Sequence, residues 1–96
     1  MRSRSPQRLG DVLGELIRRS GISRRLDETR AVEAWDAIIN QPLRAVTEKV
    51  WVRNGTMFVK ITNSTWRHEL HLEQQAWCDR INGHLGKKVV KSIEFR

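Results

Sequence analysis

The chain has one cysteine, no tyrosine, two prolines and no long apolar run, and each shortage excludes something. Cys78, being alone, cannot close an internal disulfide, which points to a reducing, cytoplasmic setting. A membrane-spanning helix needs about 20 consecutive apolar residues, and no stretch approaches that, so no membrane role is expected. The opening MRSRSPQRLG carries arginines without an apolar stretch behind them and does not read as a secretory signal. No glycine-rich loop is placed to cradle a phosphate. At 96 residues there is room for one core, so residues 1–96 are expected to form a single domain, with 1–5 as a short, basic, flexible start.

What is present is an ordinary folding composition, 39% hydrophobic and 30% charged, rather than that of a disordered chain. The net charge of +7 is unevenly distributed. Residues 1–30 hold eight arginines against four acids, residues 87–96 four basic residues against one acid, and residues 31–86 six of each. Basic ends on a neutral middle suit an acidic partner, either a nucleic acid or an acidic protein surface.

The pattern of apolar residues gives the element order α-α-β-β-α-β. Ser5-Pro6 suits a helix start, and Leu9, Val12, Leu13, Leu16 and Ile17 make an apolar stripe that Gly21 ends. An arginine-rich linker, Ile22 to Arg25, leads to a helix over about Asp27 to Asn40, with Ala31, Val32, Trp35, Ile38 and Ile39 on its apolar face and Pro42 preventing continuation. Asn63, Ser64 and Thr65 offer capping oxygens for a third helix reaching about Asn82. Its stripe is Trp66, Leu70, Trp77 and Ile81, and Gly83 suits its left-handed cap. Trp35, Trp66, Leu70 and Trp77 are assigned to the core. Val89 to Phe95 alternates as a strand, with Val89, Lys91, Ile93 and Phe95 on one face. The fold class is α+β, a three-stranded sheet packed against helices.

The hairpin between the second and third helices is legible to the residue. Asn54-Gly55 favours a two-residue type I′ turn, whose central positions both need positive φ. The turn pairs Arg53 with Thr56, Val52 with Met57, Trp51 with Phe58, Val50 with Val59 and Lys49 with Lys60. One face then carries Val50, Val52, Met57, Val59 and Ile61, with only Glu48 out of character, and should pack on the helices. The other carries Trp51 and Phe58 among Lys49, Arg53, Thr56 and Lys60. Rings beside cations on a sheet can stack bases and attract phosphates, although the same pair could be covered by the first helix.

No enzyme is read from this chain. His68, His71 and Cys78 lack a zinc spacing, Glu69 and Glu73 are neighbours on a helix without a cleft, and Cys78 has no base beside it. No metal, cofactor or small-molecule substrate is expected. Gly83-His84-Leu85-Gly86 has the G-x-x-G form of a KH backbone clamp, but only two residues separate Gly86 from the last strand, leaving the clamp's second helix no room. A helix cap followed by a turn accounts for it better. The candidate nucleic-acid-binding residues are Arg2, Arg4, Lys49, Trp51, Arg53, Phe58, Lys60, Lys87, Lys88 and Lys91.

Taken in order, Ala34 to Ile39 as Ala-Trp-x-x-Ile-Ile, Thr47, the aromatic strand and Asn-Gly hairpin, then Ser64, Thr65, Arg67, Glu69 and Leu70, Ile81-Asn82 and the closing Phe95-Arg96 resemble the DciA-like family of bacterial proteins, in its short, single-domain form. The resemblance covers essentially the whole chain and rests on the combined order of diffuse motifs. It implies a KH-like fold and a non-catalytic role in DNA replication: association with a DnaB-type replicative helicase and help in loading it onto single-stranded or duplex DNA. Asn40 stands where the family usually has a glycine, a substitution compatible with a left-handed cap there. Apart from MRSRS, the basic extension of longer members is not expected in this short form. An RNA-binding module of the KH type and a basic protein–protein adaptor are the alternatives.

Overall fold

Asn54 and Gly55, at φ 52° and 83°, reverse the chain in the left-handed conformations that a type I′ turn demands. In the computed structural model, which describes residues 22–96, they join strands β1 (Thr47–Arg53) and β2 (Thr56–Ile61). The register runs Arg53↔Thr56, Val52↔Met57, Trp51↔Phe58, Val50↔Val59 and Lys49↔Lys60, as the turn chemistry requires. Helices α1 (Ile22–Ile38) and α2 (Gln41–Val46) precede the hairpin; α3 (Ser64–Leu72), α4 (Gln74–Leu85) and β3 (Ser92–Phe95) follow it. The sheet order is β1-β2-β3, with β3 parallel to β2, giving a mixed three-stranded sheet. The order α-α-β-β-α-α-β and the sheet packed on helices are those of an α+β fold.

A bulge between Thr47 and Lys49 resolves the anomaly of Glu48. The extra residue leaves the inward row, and its carboxylate meets Lys60 Nζ at 3.1 Å. Met57, Val59 and Ile61 are buried beneath the sheet, and Val50 and Val52 are half-buried against the same core. Trp35 of α1 fills its centre, with Trp77 at 5.0 Å and Phe95 at 5.8 Å between ring centroids. Ala31 and Ala34 are fully enclosed, so α1 lies close to its neighbours α4 and β1. The indole N–H of Trp35 is buried without a hydrogen-bond partner among the described residues, a local cost of about 1–3 kcal/mol that its ring contacts must outweigh.

Several boundaries differ from the sequence expectation. The segment Ile22 to Arg25 is helical rather than a linker; Thr29 Oγ1 donates to the Arg25 carbonyl at 3.0 Å, and Asp27 is held by Lys87 Nζ at 2.9 Å. Asn40 is not left-handed: at φ −87° and ψ 175° it is extended, and its side chain caps α2 by accepting from Leu43 N. Pro42 therefore stops one helix and opens the next, where its missing N–H costs nothing.

The third predicted helix is two helices, α3 and α4, with Glu73 between them at φ −111° and ψ 24°. Leu70, Trp77, Cys78 and Ile81 still reach the core across this break, whereas Trp66 is only half-buried at its edge and not the core residue expected. Gly83 lies inside α4; the left-handed cap is Gly86, at φ 77°. Strand β3 starts at Ser92 rather than Val89. The preceding segment breaks the expected alternation, since Val90 is fully buried and Lys91 exposed. The expected helix over the Leu9 to Ile17 stripe lies outside the described residues.

Candidate nucleic-acid interface

The face of the sheet turned away from the core is built by alternation alone. Trp51 and Phe58 sit opposite each other on β1 and β2, and their rings stack at 5.2 Å with planes 16° apart. Both remain half-exposed and take no part in the core. Lys49, two residues before Trp51 on the same face, places Nζ 5.1 Å from the indole centroid. Arg96 follows β3 and continues its pairing: its N–H donates to the Val59 carbonyl at 2.8 Å, and its own carbonyl accepts from Ile61 N. Its guanidinium lies 4.7 Å from the Phe58 centroid. The result is a row across the sheet, ammonium, indole, phenyl, guanidinium, with aromatic faces between two cations.

Around this row the cations differ in how they are held. Lys60 is paired with Glu48, and Arg96 with Glu94 at 3.3 Å, both at exposed positions where such pairs are weak enough for a phosphate to compete. Lys49 and Arg53 are exposed, with no ion pair among the described residues. Each ring thus rests against the other and carries a cation, so a base could stack here only by displacing Lys49 or Arg96, while the exposed charges are placed where a phosphate could be attracted.

Of the residues chosen from sequence, Lys49, Trp51, Arg53, Phe58 and Lys60 come together on this face. Lys87, Lys88 and Lys91 do not join it. Lys87 is tied to Asp27, while Lys88 and Lys91 line an open cleft of about 480 Å³ with Arg24, between the start of α1, the hairpin turn and the loop after α4. Lys91 is partly structural: its N–H donates to the Gly55 carbonyl at 2.7 Å, and its stem crosses Gly55 so closely that a Cβ there would sit 3.1 Å from its Cδ. Arg2 and Arg4 lie outside the described residues. Arg96 and Arg24 were missed. Alternation from Ser92 and Glu94 gives the first its outward direction, but only the pairing of β3 with β2 sets it beside Phe58; the second was hidden by reading its segment as a linker.

Gly83 to Gly86 forms the end of α4 and its cap, so the G-x-x-G segment does not lie between two helices. The junction that does, Leu72-Glu73-Gln74, contains no glycine. Cys78 is buried, its thiol 3.2 Å from the Val90 carbonyl; burial pushes its pKa up from 9.0, the nearby Asp79 carboxylate adds to this, and Lys88 and the Asn82 amide oppose it. A thiol held neutral is a poor nucleophile. Among the described residues no three of His, Cys, Asp and Glu cluster to hold a metal, and no helix is long and apolar enough to cross a membrane.

The fold and this face define an α+β domain carrying a half-exposed cation–aromatic row on a mixed sheet. The chain belongs to the family described as Dna[CI] antecedent, DciA, whose model matches residues 8–95. Similar proteins include UPF0232 proteins of Rhodococcus jostii, 24% identical over 92 residues, and of Mycobacterium tuberculosis strain H37Rv, 25% identical over 92. A UPF0232 protein of Mycobacterium leprae strain TN is 26% identical over 92. Each alignment covers 96% of this chain and 49% of the relative, so the chain spans about half the length of these relatives.

Proposed function

We propose that the chain is a non-catalytic DNA-replication factor, a KH-like domain that binds a DnaB-type replicative helicase and DNA and so promotes loading of the one onto the other. Membership of the DciA family over residues 8–95 is the observation that carries this reading. The outer sheet face supports the DNA half of it. Trp51 and Phe58 supply stacking surface; Lys49, Arg53, Lys60 and Arg96 supply phosphate attraction, with Lys88 and Lys91 extending the positive charge past the hairpin turn. The RNA alternative is weaker because a KH-type clamp needs a glycine loop between two helices, and Gly83 to Gly86 is a helix end.

Affinity isolation from a bacterial lysate, with and without nuclease, tests the helicase half. Helicase retained after nuclease supports direct docking; recovery of ribosomal proteins alone, lost on nuclease, would replace the proposal with the RNA module. Fluorescence titration of wild type, Trp51→Ala and Lys49→Ala with single-stranded and duplex DNA tests the surface. Variants that bind like wild type at two salt concentrations would remove the sheet face from the proposal.

A further inference from the structure

The two edges of the sheet are finished differently. On β3 the outward carbonyl of Ile93 accepts from Gln74 Nε2 at 2.9 Å, so a helix side chain closes that edge. On β1 the two-residue turn makes Arg53, Trp51 and Lys49 the residues that exchange ladder bonds with β2. Val50 and Val52 therefore direct their N–H and C=O groups away from β2, and no described residue beyond the hairpin hydrogen-bonds to them.

This edge, open among the described residues, is accompanied by a groove. A cleft of about 240 Å³ separates α1 from the strand, with Val32 and Trp35 on the helix side, Val50 on the strand side, and Asp36 and Glu48 at its wall, where each carboxylate is held in an ion pair, with Arg44 and Lys60 respectively. At the hairpin end Val52 faces the larger cleft shared with Arg24 and Glu28. A strand edge without a partner among the described residues, beside a helix and a groove with apolar side chains in it, is an arrangement in which an extended peptide can add as a further strand. Main-chain bonds then give affinity, and alternate side chains enter the groove.

We propose that the β1 edge binds an extended segment of a partner protein in which apolar and acidic residues alternate. Residues of that segment lying on the inward side meet Val50, Val52 and the groove. Those on the outward side lie beside Lys49 and Arg53, where a carboxylate is complementary. A second copy of this chain fits poorly. The antiparallel register that joins Val50 to Val52 of the other copy sets Lys49 against Arg53 twice, and like charges directly opposite are destabilising. The bulge at Glu48 further limits the pairing length, as edges that avoid self-association do. The proposal does not require the outer face to bind nucleic acid, but Lys49 and Arg53 are common to both readings, so a phosphate backbone and the segment's carboxylates would compete for them.

The probe is a seven-residue synthetic peptide alternating glutamate and valine, blocked at both ends, titrated at low salt into the full chain labelled with nitrogen-15. The expected result is movement of the Val50 and Val52 amide resonances and at least threefold slower hydrogen exchange at both amides near saturation. The same peptide N-methylated at alternate residues should fail, since it cannot complete the ladder. The double variant Lys49→Glu, Arg53→Glu should lose the glutamate peptide and accept a lysine–valine one. Four results would overturn the proposal: unchanged exchange at Val50 and Val52 at millimolar peptide, equal binding of the N-methylated peptide, amides already protected in the free monomer, or protection that rises with protein concentration without peptide, which would name a second copy as the occupant.

Discussion

The side chain of Asn82 grips the backbone of Val90 on both of its polar groups: Oδ1 accepts from Val90 N at 2.9 Å, and Nδ2 donates to its carbonyl at 2.8 Å. Oδ1 accepts from Val89 N as well. The segment between α4 and β3 has no ladder partner at this point, so one amide substitutes for it and seats Val90 in the core. Asn82→Ala strands two backbone donors and weakens the hold on one carbonyl. We expect a loss of about 2–3 kcal/mol in urea unfolding, with Asn82→Asp losing less because both acceptor bonds survive. A loss below about 0.5 kcal/mol for Asn82→Ala would mean that water replaces the amide without penalty.

Gly83 and Gly86 should respond in opposite directions to the same substitution. Gly83 is helical and exposed, and a Cβ there meets nothing within 4 Å, so Gly83→Ala is expected to stabilise by about 0.5–1 kcal/mol. Gly86 sits at φ 77° as the cap of α4, and alanine there should cost about 1 kcal/mol or more. Thermal unfolding of the two variants separates these effects. A loss of nucleic-acid binding in a stabilised Gly83→Ala would revive the backbone clamp.

The contrast between these glycines also marks what the sequence could disclose. The hairpin register was legible because a two-residue Asn-Gly turn and strict alternation are local signals, and the face they built holds half of the residues assigned to binding. The break at Glu73 had no local signal at all: His71 to Gln75 contains neither glycine nor proline, and the joint is stabilised by bonds that arise only in the fold, such as Gln74 to Ile93. Short α2 was hidden for a related reason. Asn40-Gln41-Pro42 reads equally well as the end of one helix or the start of the next, and the side-chain bond to Leu43 N decides it. Arg96 needed the parallel pairing of β3 with β2, a long-range fact, before it could be set beside Phe58.

Burial gives Cys78 a pH signature. Its folded pKa lies above the ordinary 9.0, so in alkaline solution the unfolded chain gives up the thiol proton first. The stability this supplies is complete below about pH 9 and is lost as pH rises through 9.0 toward the folded value. Urea midpoints at pH 7.5 and pH 10 should therefore fall further for wild type than for Cys78→Ala. Iodoacetamide at pH 8 should modify Cys78 only at the rate at which the protein opens, and a burst of modification under native conditions would contradict its enclosure.

Arg96 offers the sharpest test of the row on the outer face, because its two roles have different readouts. Its guanidinium lies against the Phe58 ring, which it helps hold in place, and under the proposed function it is also an exposed charge for a phosphate. Trp51→Ala removes a ring on which a base can stack, and should weaken single-strand binding by about 5- to 150-fold, corresponding to about 1–3 kcal/mol per stacked base. That loss should persist at high salt, since stacking releases no counterions. Arg96→Ala should cost only about two- to fivefold at low salt and reduce the salt dependence of log K by about 0.7, the value for one phosphate on a single strand. Arg96→Lys should keep the salt slope while losing the planar contact with Phe58. Equal slopes for wild type and Arg96→Ala would take this residue out of the phosphate path and leave it as a brace for the ring alone.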